Sequence, residues 1–294
     1  MKLSLSLVWA LATTIKAFRQ HPIAHDGDAR PNIVVILTDD QDLHMDSVDY
    51  MPLLKKHIID HGTFYKHHYC STAICCPSRV TLWTGRNAHN TNVTDVFPPY
   101  GLAPSFRKFS LGLITISGGY PKFVAEGFNK DWLPLWLQAA GYSTYYTGKL
   151  FNAHTVENWN SPHPSGWTSS DFLLDPNTYQ YLNATFQRNE HPPVNHKDEY
   201  STDVLADKAY GLLEEGIESR KPFFLTVAPV APHSNVDPFP TTGNPGDVLK
   251  DIRMVAPIPA ERHKHLFPNA KVPRRSNFNP VKVTLLNIAA QESS

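Results

Sequence analysis

In the stretch STAICCPSRVTLWTGR, residues 71–86, two adjacent cysteines stand directly before Pro77, Ser78 and Arg79, in a chain with only three cysteines. Arg79 follows Cys75 by four residues, one turn of a helix, so its guanidinium can reach back toward that side chain. A planar, permanently charged donor of this kind suits an anionic partner. Asp39 and Asp40 stand side by side after an apolar run, and their oxygens suit a hard divalent cation such as calcium. Paired acids at that place can equally cap a following helix or face solvent. Lys149 ends the segment STYYTGK, and His233 lies in the Pro-rich loop PVAPHS, where it could donate a proton.

The elements around these residues set where they can meet. PNIVVILTDDQ is bounded by Pro31 and two acids, which predicts a buried strand over 32–38 ending at a polar rim. Leu53, Leu54, His57, Ile58 and His61 recur at helical spacing before Gly62, so His57 and His61 read as helix-surface residues. A short strand is expected over 63–68, then a helix through SRVTLWT closed by Gly85. DWLPLWLQAAGYSTYYTGKL reads as helix, turn at Gly141 and strand from Ser143. STDVLADKAYGLLEEGIES places Leu205, Ala209, Leu212 and Ile217 on one face, with Ser201 or Thr202 as its cap. Phe223 to Ala228 forms a further buried strand. Strands alternating with helices in this way predict an α/β fold, a mostly parallel central sheet with helices on both faces. In such a sheet function gathers at the carboxyl ends of the strands, where Asp39, Asp40, Lys149 and His233 all fall.

Composition narrows the class. Lys plus Arg equals Asp plus Glu at 27 each, so the chain presents no basic field for nucleic acid. The opening MKLSLSLVWALATTIKA combines Lys2, an apolar run and small residues, the pattern of a signal peptide over residues 1–17. That run is shorter than the roughly 20 residues needed to span a bilayer, so no stable membrane anchor is expected and the protein reads as secreted. Sequons at Asn92 and Asn183 fit that compartment. Three clustered cysteines are too few for a disulfide framework, and Cys70 reads as a buried apolar residue or a structural disulfide partner. His67, His68, His263 and His265 have no supporting context, and the isolated pair at 263 and 265 does not suggest zinc.

Cys75-Cys76-Pro77-Ser78-Arg79 followed by Thr84-Gly85-Arg86 resembles the C-x-P-S-R signature of the sulfatase family and its downstream T-G-R. TDDQD, CCPSR, TGK and APHS occur in family order, so the resemblance covers residues 31–280 and is nearest to secreted arylsulfatases of the N-acetylglucosamine-6-sulfatase-like branch. It implies the alkaline phosphatase/sulfatase-like fold, a sulfate ester as substrate, one calcium ion, and oxidation of Cys75 to formylglycine by a modifying enzyme. Cys76 then becomes ordinary packing. A hydrated aldehyde offers two hydroxyls, one to attack sulfur and one to expel sulfate by collapse to the aldehyde, an exit route that a serine sulfate lacks. By the same resemblance Asp39, Asp40 and residue 75 are metal ligands, and Arg79 polarises the formylglycine hydroxyl. Lys149 would neutralise charge on the transferred sulfuryl group, and His233 would contact the bridging oxygen of the ester.

The chain departs from the family at several points. Many members carry a histidine two residues after the lysine; here Phe151 stands there, which leaves Asn152 or His154 to supply that polar contact. The resemblance divides the chain into the signal segment, residues 18–280 as the N-terminal part of a catalytic domain, and an atypical tail at 281–294. An early stop, a retained intron or an altered reading frame would account for that tail and for a missing C-terminal part with an Asp-Asn pair and a second lysine. Leu102 to Gly118 reads as an unusual insertion, apolar and uncharged over LGLITISG and liable to aggregate. Two other functions stay open: a phosphoester or phosphonate hydrolase of the same fold, and a non-catalytic secreted fragment that binds metal or sulfated glycans.

Overall fold

The computed structural model describes residues 30–97, 118–237, 253–275 and 278. The expected signal segment, the tail at 281–294 and all of the Leu102 to Gly118 stretch except Gly118 lie outside them. The strands are β1 (Ile33–Ile36), β2 (Ser143–Lys149), β3 (Ser169–Leu173), β4 (Asn183–Arg188), β5 (Val194–Lys197), β6 (Phe223–Ala228), β7 (Asn235–Asp237) and β8 (Arg253–Val255). The helices are α1 (Pro52–His57), α2 (Cys75–Thr84), α3 (Ala88–Thr91), α4 (Gly119–Ala125), α5 (Leu133–Ala139) and α6 (Ser201–Glu218).

Six strands form one sheet in the order β1-β6-β2-β3-β4-β5, and β7 with β8 makes a separate antiparallel pair. From β1 to β3 the pairing is parallel, with Ile33 beside Phe224 and Tyr145 beside both Leu225 and Ser169. The pairs β3/β4 and β4/β5 are antiparallel. The sheet is therefore mixed: β1, β6, β2 and β3 run parallel, and β3, β4 and β5 alternate in direction through short connections. β2 lies at its centre and all of its residues are buried.

Val80 and Trp83 of α2, Phe123 of α4 and Trp132 beside α5 pack on one face with Tyr146, Phe172 and Phe224. Trp83 meets Tyr146 edge-on at 6.0 Å, and Phe123 meets Trp132 at 5.0 Å. Each such aromatic pair adds about 0.5–1.5 kcal/mol to the burial of its rings. On the other face Leu212 of α6 covers Tyr145, Phe223 and Leu225.

Several expectations are corrected. The first strand is shorter than 32–38 and sits at the sheet edge; Val34 and Ile36 are 52% and 59% exposed. They share a face with Leu225, where α6 packs on β2, β6 and β3. Residues 63–68 form no strand; all of them are exposed, with no described strand beside them to complete a ladder. In α6 the buried face runs through Gly216, which Phe223 touches, and Ile217 points to solvent. Neither Ser201 nor Thr202 caps α6: Tyr200 is the cap, its carbonyl accepting the Val204 N–H at 3.1 Å, and the Ser201 N–H donates outside the helix to the Tyr181 carbonyl at 2.7 Å. Cys70 is neither buried nor bridged; it is an exposed free thiol with Sγ 2.8 Å from Ser78 Oγ.

Candidate active site

Three strand ends and one helix start converge at the carboxyl edge of the sheet. α2 begins at Cys75, and Pro77 fits its first turn because the N–H that proline lacks has no partner inside a helix. The helix ends at Gly85, whose positive φ of 66° lets its N–H return to the Thr81 carbonyl at 2.9 Å. This short, capped helix sets Arg79 one turn inside Cys75, buried against the sheet.

β2 delivers Lys149 through a second glycine requirement. Gly148 has φ +105°, and a Cβ there would stand 2.0 Å from the Ala228 carbonyl oxygen. Its absence lets β2 lie close against β6, with Lys149 fully buried at the strand end. After β1 the chain stays aligned with β6 through Leu37 N–H to Val227 and Asp39 N–H to Ala231. Asp40 then turns left-handed at φ 60°, a conformation that aspartate tolerates. The two carboxylates consequently diverge, Asp39 into the protein and Asp40 toward solvent.

Asp39 is the electrostatic centre. Lys149 Nζ donates to its Oδ2, and Arg79 Nη2 lies 3.4 Å from its Oδ1. Burial alone would raise the Asp39 carboxyl, but the two cations hold it below the usual carboxylate value. Arg79 Nη1 also donates to the Lys149 carbonyl, as does the Tyr146 hydroxyl at 2.6 Å. Two buried cations thus face one buried carboxylate, which leaves positive charge for an anion.

Ligand atoms of Asp39, Cys75 and His233 all lie within 4.8 Å of one another. Burial would raise the Cys75 thiol, yet hydrogen bonding to His233 and the charge of Lys149 bring it below its ordinary value. His233 moves upward: burial opposes its charged form, and hydrogen bonding to Cys75 and the Ser234 carbonyl outweighs that. Nδ1–H donates to the Ser234 carbonyl at 2.8 Å, and Nε2 lies 3.4 Å from Asp40 Oδ2.

The structure therefore brings together Asp39, Asp40, Cys75, Arg79, Lys149 and His233. It does not bring His154 to them. That ring is buried against Tyr120 at 4.4 Å and Phe172 at 5.3 Å, with neither nitrogen hydrogen-bonded. Burial lowers it to about 3, so it stays neutral in an aromatic pocket where an imidazolium would be unsolvated. Phe151 lies in the same core beside Phe123 at 4.6 Å. Cys76 is likewise buried, and its thiol is pushed up to about 12. The Asn92 side chain is exposed and donates to Glu126 Oε1 at 2.8 Å, while Asn183 is half-buried at the start of β4.

Sequence reasoning missed Tyr179 and Asp175. Tyr179 reaches the site from the loop between β3 and β4, and no spacing in DPNTYQY marks it. Asp175, pushed up to about 6 by burial, accepts the Ala153 N–H at 2.8 Å and braces the loop that follows Lys149.

Residues 31–247 match the family model described as Sulfatase. An arylsulfatase of Volvox carteri is 40% identical over 83% of this chain and 35% of its own length. Human N-acetylglucosamine-6-sulfatase is 28% identical over 86% of this chain and 40% of its own. The chain thus spans little more than a third of these relatives. Among solved structures, the Bacteroides fragilis protein yidJ, a candidate sulfatase, superimposes with a TM-score of 0.50 at 17% identity over 71% of this chain and 46% of that one. At that identity the likeness concerns the fold.

Proposed function

This chain belongs to the sulfatase family, and on that premise we propose that its site serves the hydrolysis of sulfate monoesters of the arylsulfatase type at residue 75. The observation that carries the reading is the buried carboxylate of Asp39 held between Lys149 and Arg79, beside Cys75 at the start of a helix. Two fixed cations and a helix N-terminus favour an anion such as a sulfuryl group. Formylglycine at position 75, once formed by a modifying enzyme of the secretory pathway, supplies the hydroxyl that attacks sulfur and the second hydroxyl that releases sulfate. Lys149 and Arg79 orient the anion and stabilise the charge that develops on its oxygens. Nε2 of His233, whose charged form is favoured, holds the proton for the departing alcohol.

Asp39, Asp40 and an oxygen of residue 75 would hold a divalent cation, proposed to be calcium, which would offset sulfate charge. The donor set suits a hard ion in type, with Asp39 buried beside residue 75, while Asp40 turns toward solvent against His233 and would have to swing inward to join them. Among the described residues these oxygens are few against the about six to eight that calcium takes. We therefore expect weak calcium binding and slow or undetectable turnover by the 294-residue chain. Secretion and glycans at Asn92 and Asn183 belong to the same proposal; among the described residues no helix is long and apolar enough to cross a membrane.

The test is expression in a secretory host that modifies other sulfatases. Mass spectrometry of the peptide bearing Cys75 is expected to show the aldehyde, and release from p-nitrophenyl sulfate is expected to exceed release from the matching phosphate. An intact thiol, or faster phosphate release, would overturn the reading. Robust calcium-dependent turnover would show that further residues or water complete the shell.

A further inference from the structure

We propose that Tyr179 is a further catalytic residue of this site: its hydroxyl donates to the side chain of residue 75, and Asn152 is the positioning residue that aims it. The proposal rests on the sulfatase reading for its chemistry but on separate contacts for its geometry. The Cys75 sulfur here stands in for the side-chain oxygen of the oxidised residue.

Tyr179 sits among three reacting groups. Its hydroxyl lies 4.0 Å from Cys75 Sγ, within hydrogen-bond reach for sulfur. Lys149 Nζ stands over its ring at 4.5 Å, a cation–π contact that steadies the ammonium away from water. The His233 ring lies 4.4 Å away, tilted by 37°. One aromatic side chain thus sets the spacing between a cation, a proton donor and the nucleophile, and its own backbone is held by Val236 N–H at 3.1 Å to its carbonyl.

Asn152 gives the hydroxyl its direction. Its Nδ2 donates to the Tyr179 oxygen at 2.6 Å. The phenol oxygen accepts from the amide, and its own hydroxyl donates toward Cys75 on the other side. Asn152 is itself buried, and its main-chain carbonyl accepts the Tyr120 N–H at 2.8 Å. Donation to residue 75 favours whichever form of that side chain carries more negative charge, the thiolate in the unmodified protein and the attacking oxygen in the modified one.

The unmodified chain provides a test that needs no sulfate turnover. In a host without the modifying enzyme, and with Cys70→Ser to remove the exposed competing thiol, the rate of Cys75 alkylation by iodoacetamide is followed against pH by peptide mass spectrometry. Tyr179→Phe keeps the ring and deletes the donor. It is expected to move the midpoint of the profile up by about one pH unit, making alkylation below the midpoint about tenfold slower, equivalent to about 1.4 kcal/mol. The circular dichroism spectrum should stay unchanged. Superimposable profiles would overturn the proposal. If Tyr179→Phe fails to fold, Asn152→Ala is read in the same way: an upward shift supports the aimed hydroxyl, and an unmoved profile overturns it. An unmodified Cys75 from a host that modifies other sulfatases would count against the sulfatase reading and leave this contact standing.

Discussion

Residues 40–74 carry many large apolar and aromatic side chains and strand β2 only two, Tyr145 and Tyr146, yet it is β2 that is buried. In the first segment no side chain is buried, and Leu53, Tyr65 and Tyr69 are 70%, 75% and 71% exposed. In β2 every residue is buried, including a lysine. Hydrophobic content does not decide burial here; neighbours do. β2 has β6 and β3 beside it, α5 near one face and α6 on the other, whereas α1 packs chiefly on the helical turns next to it in sequence. An apolar residue contributes about 1.5–3 kcal/mol only when something covers it.

That contrast can be broken most sharply at Lys149. Replacing it with Met leaves Asp39 buried against Arg79 alone, and urea unfolding should show a loss of about 3–5 kcal/mol. Sulfate turnover, where measurable, should fall by about 10²-fold or more. Leu53→Ala in the uncovered segment should change stability by less than about 0.5 kcal/mol. Equal losses at the two sites would refute the comparison.

Gly148→Ala comes next. A methyl group 2.0 Å from the Ala228 carbonyl cannot be accommodated without parting β2 from β6. We expect a loss of several kcal/mol in urea, of the size seen for overpacked cores or more, together with slower Cys75 alkylation as Lys149 moves off. Gly211, where a side chain meets nothing, is the control, and Gly211→Ala should be neutral or slightly stabilising.

The smallest effect concerns acid. His154 falls to about 3 in the folded protein, from an ordinary 6.5, so its contribution is present above pH 6.5 and is lost as pH falls toward 3. Asp175 rises from 3.8 to about 6, so its contribution is present below 3.8 and is lost as pH climbs through 6. Between about pH 4 and 6 the two slopes, each about 1.4 kcal/mol per unit, oppose one another. His154→Phe should therefore make unfolding free energy fall as pH rises through that window, and Asp175→Asn should make it fall as pH drops. Parallel profiles for both variants and the parent would remove either residue from the account.

The central strands and the long helix were legible because periodicity and length mark elements buried on both sides: β6 spans Phe223–Ala228 as expected, and β2 begins at Ser143. Residues 63–68 have strand-like chemistry but no described partner strand, and propensity cannot supply one. At the site, the residues named from the cysteine motif and the strand ends meet in space, because strand ends and helix starts are local features. Tyr179 and Asp175 were illegible for the opposite reason. Their roles arise from a loop folding back on residues far away in sequence, which leaves no spacing to read. His154 shows the same limit: sequence placed it near Lys149, and only the direction of its ring puts it among Tyr120 and Phe172.

The register of β1 carries a consequence in time. Just before it the Asn32 side chain accepts the N–H of Phe223 across 191 residues, and Ile33 pairs with Phe224. At ribosomal rates of about 5–20 residues per second, the first strand therefore waits about ten to forty seconds for its partner. Cys75 emerges early in that interval, before Lys149, Tyr179 and His233 exist to enclose it. A modifying enzyme that acts on the nascent chain would meet the CCPSR segment while it is still extended, so the order of synthesis itself leaves residue 75 accessible until β6 arrives to close the sheet.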